Sequence, residues 1–213
     1  MSEILCVTNR ALCRDNFLAR IEAIAACSPA GVILREKDLT KQEYCALAKD
    51  VMEICDHYKV LCILHNDVET AVQLKAKALH VPLPVLRKMA VMEKNAGKDE
   101  LQNYRQVFPI LGASCHSVEE AIEAQRLGCT YIAAGHIFAT DCKKGVPPRG
   151  LSFLQEVCSS VQIPVYAIGG INSENIAQAA AAGAKGGCVM SGLMTCENPA
   201  QYMERYFSAC KEK

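Results

Sequence analysis

Eight short, nearly unbroken apolar runs alternate with amphipathic helical stretches from one end of the 213-residue chain to the other. The runs are Ile4–Thr8, Gly31–Arg35, Leu61–His65, Ala78–Val81, Phe108–Ser114, Thr130–Gly135, Ile163–Gly169 and Gly187–Met190. A strand with one wet face alternates apolar and polar residues, whereas a strand covered on both faces does not. The missing alternation predicts parallel strands sheathed by helices. Eight βα units consume almost the whole length, so the expected fold is a single α/β domain over residues 1–213, a (β/α)8 TIM barrel with short loops and one longer, basic loop after strand six. An open doubly wound sheet is the rival, but no Gly-x-Gly-x-x-Gly follows strand one, which weakens its dinucleotide-binding form.

Punctuation between the runs supports this order. Thr40 with Glu43, and Ser117 with Glu120, have capping-box spacing at two helix starts. Asn198–Pro199 offers an N-cap and a first-turn proline for the last helix. The Ala-rich stretch Ile176–Ala182 meets Gly183, a helix stop, and its small side chains predict close packing on the sheet. Between Pro82 and Val107 the two prolines and a polar stretch predict a loop with a helix on either side of Gly97.

The 23 Lys and Arg balance 23 Asp and Glu. Zero net charge argues against a broad nucleic-acid or acidic-membrane surface, yet leaves room for a small anionic ligand that needs only a few donors. Thirteen cysteines, with no Cys-x-x-Cys pair, read as small buried hydrophobes in a reducing compartment rather than as disulfides or a zinc site. No apolar run approaches the roughly 18 residues of a membrane span, and the N-terminus lacks a signal-peptide pattern. The expectation is a cytoplasmic protein, and a homodimer paired through outer helices.

Barrel chemistry sits at the C-terminal strand ends. Those ends read Thr8–Arg10, Arg35–Glu36–Lys37, His65–Asn66–Asp67, Ser114–Cys115–His116, Gly135–His136, Gly169–Gly170 and Ser191–Gly192. Gly169 and Gly170 after strand seven, with Met190 and Ser191 after strand eight, predict a backbone phosphate cradle. The stretch His136–Gly150 carries Lys143, Lys144 and Arg149 and reads either as a solvated loop or as a flap with Gly145 and Gly150 as pivots. His116 is placed to shuttle a proton or to act as a structural hydrogen-bonding histidine. His65 and His136 are similar, weaker candidates; His80 reads as an interior group or pocket wall. Asp67, Glu36 and Asp141 are carboxylates with magnesium chemistry available to them. Cys115, next to His116 but on the opposite strand face, reads as core.

In order, these landmarks resemble the thiamine phosphate synthase/TenI superfamily over nearly the whole chain. They are Arg35–Glu36–Lys37, Asn66–Asp67, Gly112-Ala-Ser-Cys-His-Ser117, the stretch Gly135–Gly145, Ala167-Ile-Gly-Gly-Ile171 and Val189-Met-Ser-Gly192. The resemblance implies a (β/α)8 barrel and one of two activities. Synthases join hydroxymethylpyrimidine diphosphate to thiazole phosphate, with magnesium helping pyrophosphate leave. TenI-type tautomerases aromatise a thiazole carboxylate phosphate without a metal. By the resemblance, Arg35 and Lys37 meet pyrophosphate, Asn66 and Asp67 form the strand-three pair whose aspartate binds magnesium in a synthase, and Ser114, Thr140 and Lys143 surround the diphosphate and phosphate. Two synthase features are missing: Ile33 stands where a glutamine lines the pyrimidine pocket, and Val81-Pro-Leu-Pro-Val85 replaces the stretch that holds a second magnesium carboxylate. The Ser-x-His-Ser stretch and the strand-six loop match the tautomerase branch. The expectation is therefore a thiazole tautomerase with no cofactor, a phosphorylated thiazole substrate and His116 as catalytic base. The alternatives are a magnesium-dependent synthase with Asp67 as ligand, or a non-catalytic thiazole- or thiamine-phosphate-binding regulator.

Overall fold

The computed structural model describes residues 3–95, 104–143 and 145–209. All eight expected strands form: β1 Glu3–Val7, β2 Gly31–Leu34, β3 Cys62–His65, β4 Ala78–Pro82, β5 Ile110–Cys115, β6 Tyr131–Gly135, β7 Val165–Ile168 and β8 Gly186–Val189. They run parallel in chain order, and β1 pairs with β8 to close a (β/α)8 barrel. Around it stand α1 Phe17–Ala25, α2 Lys41–His57, α3 Val68–Gln73, α4 Leu83–Asn95, α5 Tyr104–Val107, α6 Val118–Arg126, α7 Gly150–Ser160, α8 Ile176–Ala181, α9 Ser191–Thr195 and α10 Pro199–Ala209.

The unbroken apolar runs have the expected cause. One set of strand side chains, Leu5, Val7, Ile33, Ile63, Tyr131, Ala133, Tyr166 and Cys188 among them, fills the barrel interior. The alternate set, including Ile4, Cys6, Val32, Leu34, Leu64, Leu79, Leu111 and Ile132, packs beneath the helices. Each large apolar side chain so buried stabilises the fold by about 1.5–3 kcal/mol, which pins the register, because a one-residue slip would exchange the two sets.

The local signals work as follows. Thr40 and Glu43 make the full reciprocal capping box on α2. At α6 the device is altered. Ser117 Oγ accepts the Glu120 N–H, but the Glu120 carboxylate accepts the N–H of His116, one residue before the cap. Asn198 Oδ1 accepts the Gln201 N–H at the start of α10, and Gly183 follows α8 with φ +99°. After β4 the chain enters α4 directly; Pro84 sits in its first turn, where no N–H is needed. Within the 82–107 region a helix does stand on either side of position 97, α4 before it and α5 after it, while Gly97 itself lies outside the described residues. The described cysteines are all free thiols. No helix among the described residues is long and apolar enough to cross a membrane.

Candidate active site

At the β1–β2 rim, buried Thr8 donates its hydroxyl to Glu36 Oε1 at 2.6 Å and accepts the Arg35 N–H at 2.9 Å. The other Glu36 oxygen accepts the Arg10 N–H at 2.9 Å. Burial pushes the Glu36 carboxyl above its usual range, and the Thr8 and Arg10 hydrogen bonds pull partly against it. Glu36 is thus a brace between two strand ends, with its oxygens committed. Between Glu36 and Thr8 the brace holds Arg35, half-buried just past the end of β2. Strand alternation puts it on the same side as the interior Ile33. Arg35 and the exposed Lys37 have no carboxylate partner among the described residues, whereas Arg10, Arg20 and Arg87 pair with Asp38, Asp15 and Glu123. Their charges act on His65: burial first, then Arg35 and Lys37, hold its imidazole down at about 4, so it is neutral near pH 7.

Below the rim, His65 stacks on His80, its neighbour in the β3–β4 register, with ring centroids 5.9 Å apart. His80 Nδ1 lies 3.0 Å from the Tyr131 hydroxyl and its Nε2 lies 2.9 Å from Ser114 Oγ. His80 is an interior group, as one of its two expected placements had it. Tyr131 escaped the sequence reading. The signal that points to it is Gly112: a glycine inside a strand marks a close approach, and a β-carbon at 112 would stand 2.1 Å from Tyr131 Cζ.

On the β5–β6 side, His116 is exposed, and its Nδ1 lies 2.8 Å from the Gly135 carbonyl oxygen. A carbonyl only accepts, so the proton is on Nδ1 and the ring ties the end of β5 to the end of β6. Cys115 is buried with its thiol pushed up to about 12, which makes it inert core. His136 does the corresponding work inside the basic loop. Its Nε2 donates to the Val146 carbonyl, while Arg149 N–H reaches the His136 carbonyl and Gly150 N–H that of Ile137. Gly145 and Gly150 both have positive φ. Thr140 precedes a single 3-10 turn, Asp141–Lys143, that carries exposed Lys143 at the rim; Lys144 lies outside the described residues.

Gly169 and Gly170 follow β7 with φ +94° and +66°. Their missing side chains admit the β6 loop: a β-carbon at 169 would meet His136 Cβ at 2.3 Å, and one at 170 the Ala139 carbonyl at 2.4 Å. Phe138 N–H donates to the Gly169 carbonyl. Among the described residues the N–H groups of Gly169 and Gly170 have no hydrogen-bond partner. Next to them in the barrel, Met190 precedes α9 and Ser191 opens it, so its first-turn N–H groups are free by construction. The two loops thus hold backbone donors suited to an oxygen anion.

Asn66 and Asp67 follow β3, Asn66 exposed and with φ +67°. Asp67 caps α3: Oδ1 accepts the Thr70 N–H at 2.9 Å and Oδ2 accepts the Thr70 hydroxyl at 2.7 Å. The end of β4 supplies Val81 and Pro82, and no group of three or more metal-ligating side chains occurs among the described residues. A hard cation needs several oxygen ligands. The residues present do not fit a two-carboxylate magnesium site.

A family model described as thiamine monophosphate synthase matches residues 4–193. The chain is 36% identical over 189 residues to thiamine-phosphate synthase 2 of Streptococcus pneumoniae serotype 4, covering 86% of this chain and 83% of that protein. It is 31% identical over 199 residues to thiamine-phosphate synthase of Clostridium tetani, covering 90% and 88%. Among solved structures, thiamine phosphate pyrophosphorylase from Pyrococcus furiosus superposes with a TM-score of 0.82 at 26% identity, covering 99% of this chain and 96% of that one. These relatives correct the expectation of a thiazole tautomerase: they are synthases, the reading held as the alternative. The motifs that favoured the tautomerase have a structural explanation. His116 ties β5 to β6 through its Nδ1, and His136 ties the next loop to itself.

Proposed function

The chain belongs to the thiamine monophosphate synthase family, and from that premise we propose that it couples hydroxymethylpyrimidine diphosphate to thiazole phosphate with release of pyrophosphate. In this transfer the thiazole supplies an electron pair to the carbon bearing the diphosphate. The carbon–oxygen bond breaks, and its pair leaves on pyrophosphate. The chemical demand falls on the leaving group, where negative charge accumulates as the bond stretches.

The observation that carries the proposal is the half-buried Arg35, held by the Thr8–Glu36 brace and left without a carboxylate partner among the described residues. A cation kept in place with no counter-ion is prepared for an anion that arrives with the substrate. Lys37 adds charge on the same side, as the joint effect of both on His65 attests. In this reading Arg35 and Lys37 receive the departing pyrophosphate, and Lys143 and Thr140 approach from the β6 loop. Ser114 and Asn66 donate from the β5 and β3 ends. Gly169, Gly170, Met190 and Ser191 hold the thiazole phosphate through backbone N–H groups. In this reading the coupling step asks no proton transfer of His116. No step is assigned to a metal, because the donors at β3 and β4 do not form a cradle for one.

The test is direct: purified protein is given both substrates in magnesium-containing buffer, and coupled product and pyrophosphate are quantified. Stoichiometric formation of both supports the reading; tight binding of either substrate without turnover overturns it.

A further inference from the structure

Beneath the rim lies a hydrogen-bonded row of which the coupling chemistry uses only the outer member, Ser114. Tyr131 Oη, the His80 ring and Ser114 Oγ are joined by contacts of 3.0 and 2.9 Å on the two ring nitrogens. Tyr131 and His80 are buried in the barrel interior, and Ser114 is half-buried near the end of β5. The row exists because His80 pairs with Gly112 and Gly112 with Tyr131, so the tyrosine ring passes over a strand position that has no side chain.

The direction of the row follows from hydrogen-bond accounting. The His80 ring is neutral, since burial above all, with His65 adding to it, holds it at about 3. A neutral imidazole has one N–H and one acceptor nitrogen. Among the described residues the Tyr131 hydroxyl has one hydrogen-bond partner, His80 Nδ1, and a buried phenol proton needs an acceptor. Tyr131 therefore donates to Nδ1, which places the ring proton on Nε2. Nε2–H then donates to Ser114 Oγ, and the serine's own proton is turned away from His80. The reverse row would leave the tyrosine proton buried with no acceptor.

We propose that Tyr131 and His80 form a positioning pair that fixes Ser114 as a hydrogen-bond donor toward an oxygen anion in the barrel mouth. The identity of that anion, the diphosphate or phosphate of the substrates, rests on the functional reading above. Neither Tyr131 nor His80 touches substrate in this account; they act through Ser114.

Two measurements test it in the full-length protein. Ring-nitrogen NMR of His80 is expected to show the proton on Nε2 and none on Nδ1; the opposite tautomer overturns the proposal without reference to activity. Calorimetric titration with inorganic pyrophosphate is then run on wild type, Ser114→Ala, Tyr131→Phe and the double variant. Ser114→Ala is expected to weaken binding about tenfold, as loss of one charge-assisted hydrogen bond does. Tyr131→Phe should weaken it about threefold, the double variant being no weaker than Ser114→Ala alone, since the tyrosine has nothing to orient once the serine hydroxyl is gone. Losses that simply add, or a Ser114→Ala variant that binds as wild type does, overturn the proposal. If both expected results hold but the two substrates are not coupled, the positioning pair stands and the functional reading fails.

Discussion

Both carboxylate oxygens of Asp67 are taken by one residue, Thr70: its N–H at 2.9 Å and its hydroxyl at 2.7 Å. The aspartate is thereby the N-cap of α3. Replacing it with Ala is expected to cost about 1 kcal/mol of stability, read as a lower midpoint in urea unfolding. Asp67→Asn keeps one cap acceptor and should recover most of that loss with turnover close to wild type. An Asn variant of full stability whose turnover falls by orders of magnitude would show that Asp67 acts as a metal ligand instead.

His65 makes acid stability depend on the rim cations. Burial, with Arg35 and Lys37 beside it, lowers its folded value to about 4 from an ordinary 6.5. Between those two pH values the unfolded chain binds a proton that the folded chain does not. Stability from this group is therefore complete above about pH 6.5 and is lost as the pH falls toward 4. The loss is on the order of 2 kcal/mol after allowing for partial exposure. Denaturant unfolding of wild type and His65→Gln across this window should show the wild type losing more; parallel curves would contradict the assignment.

Gly112 is required by the Tyr131 ring. A β-carbon there would lie 2.1 Å from Cζ and 2.5 Å from Cε1, so Gly112→Ala should destabilise the barrel by about 1–3 kcal/mol through overpacking. Tyr131→Phe, which keeps the ring carbons, should not rescue it. Thermal unfolding of the single and double variants checks both statements.

Arg35 is expected to matter for turnover and not for stability, because it gives up no ion pair when removed. Arg35→Ala should lower kcat/KM for coupling by about 100-fold or more with an unchanged unfolding midpoint. Arg35→Lys should recover only part, since an ammonium lacks the planar fork that grips a phosphate. An alanine variant with wild-type kcat/KM would remove Arg35 from the site.

The barrel was legible because its signal is repeated. Each strand run is apolar on both faces for the same reason, and Thr40, Ser117 and Asn198 mark helix starts by chemistry confined to three or four neighbouring residues. The candidate rim was legible to the extent that strand ends are: Arg35, Asp67, Ser114 and Lys143 could be named from position alone. Their states could not. Linear order leaves Asp67 a magnesium ligand only under the synthase alternative, and His116 either a proton shuttle or a structural histidine. The Asp67–Thr70 cap has the same short spacing as the other helix starts, whereas the Gly135 carbonyl that holds His116 lies 19 residues away in the chain. Tyr131 was missed because its partner, His80, is 51 residues away in the chain.

By itself, the sequence determined the parallel barrel, the side of it that carries the polar residues, and the superfamily, since these depend on local periodicity and on ordered motifs. Tertiary structure decided which of those polar groups are committed and which are left open. Whether a carboxylate is a brace, a cap or a ligand depends on the few ångströms around its oxygens: Asp67 meets Thr70 of its own helix start, while Glu36 meets Thr8 of a neighbouring strand end. Parallel pairing of neighbouring strands brings Glu36 to Thr8 and Tyr131 past Gly112 to His80, and it leaves Arg35 as a held cation awaiting an anion.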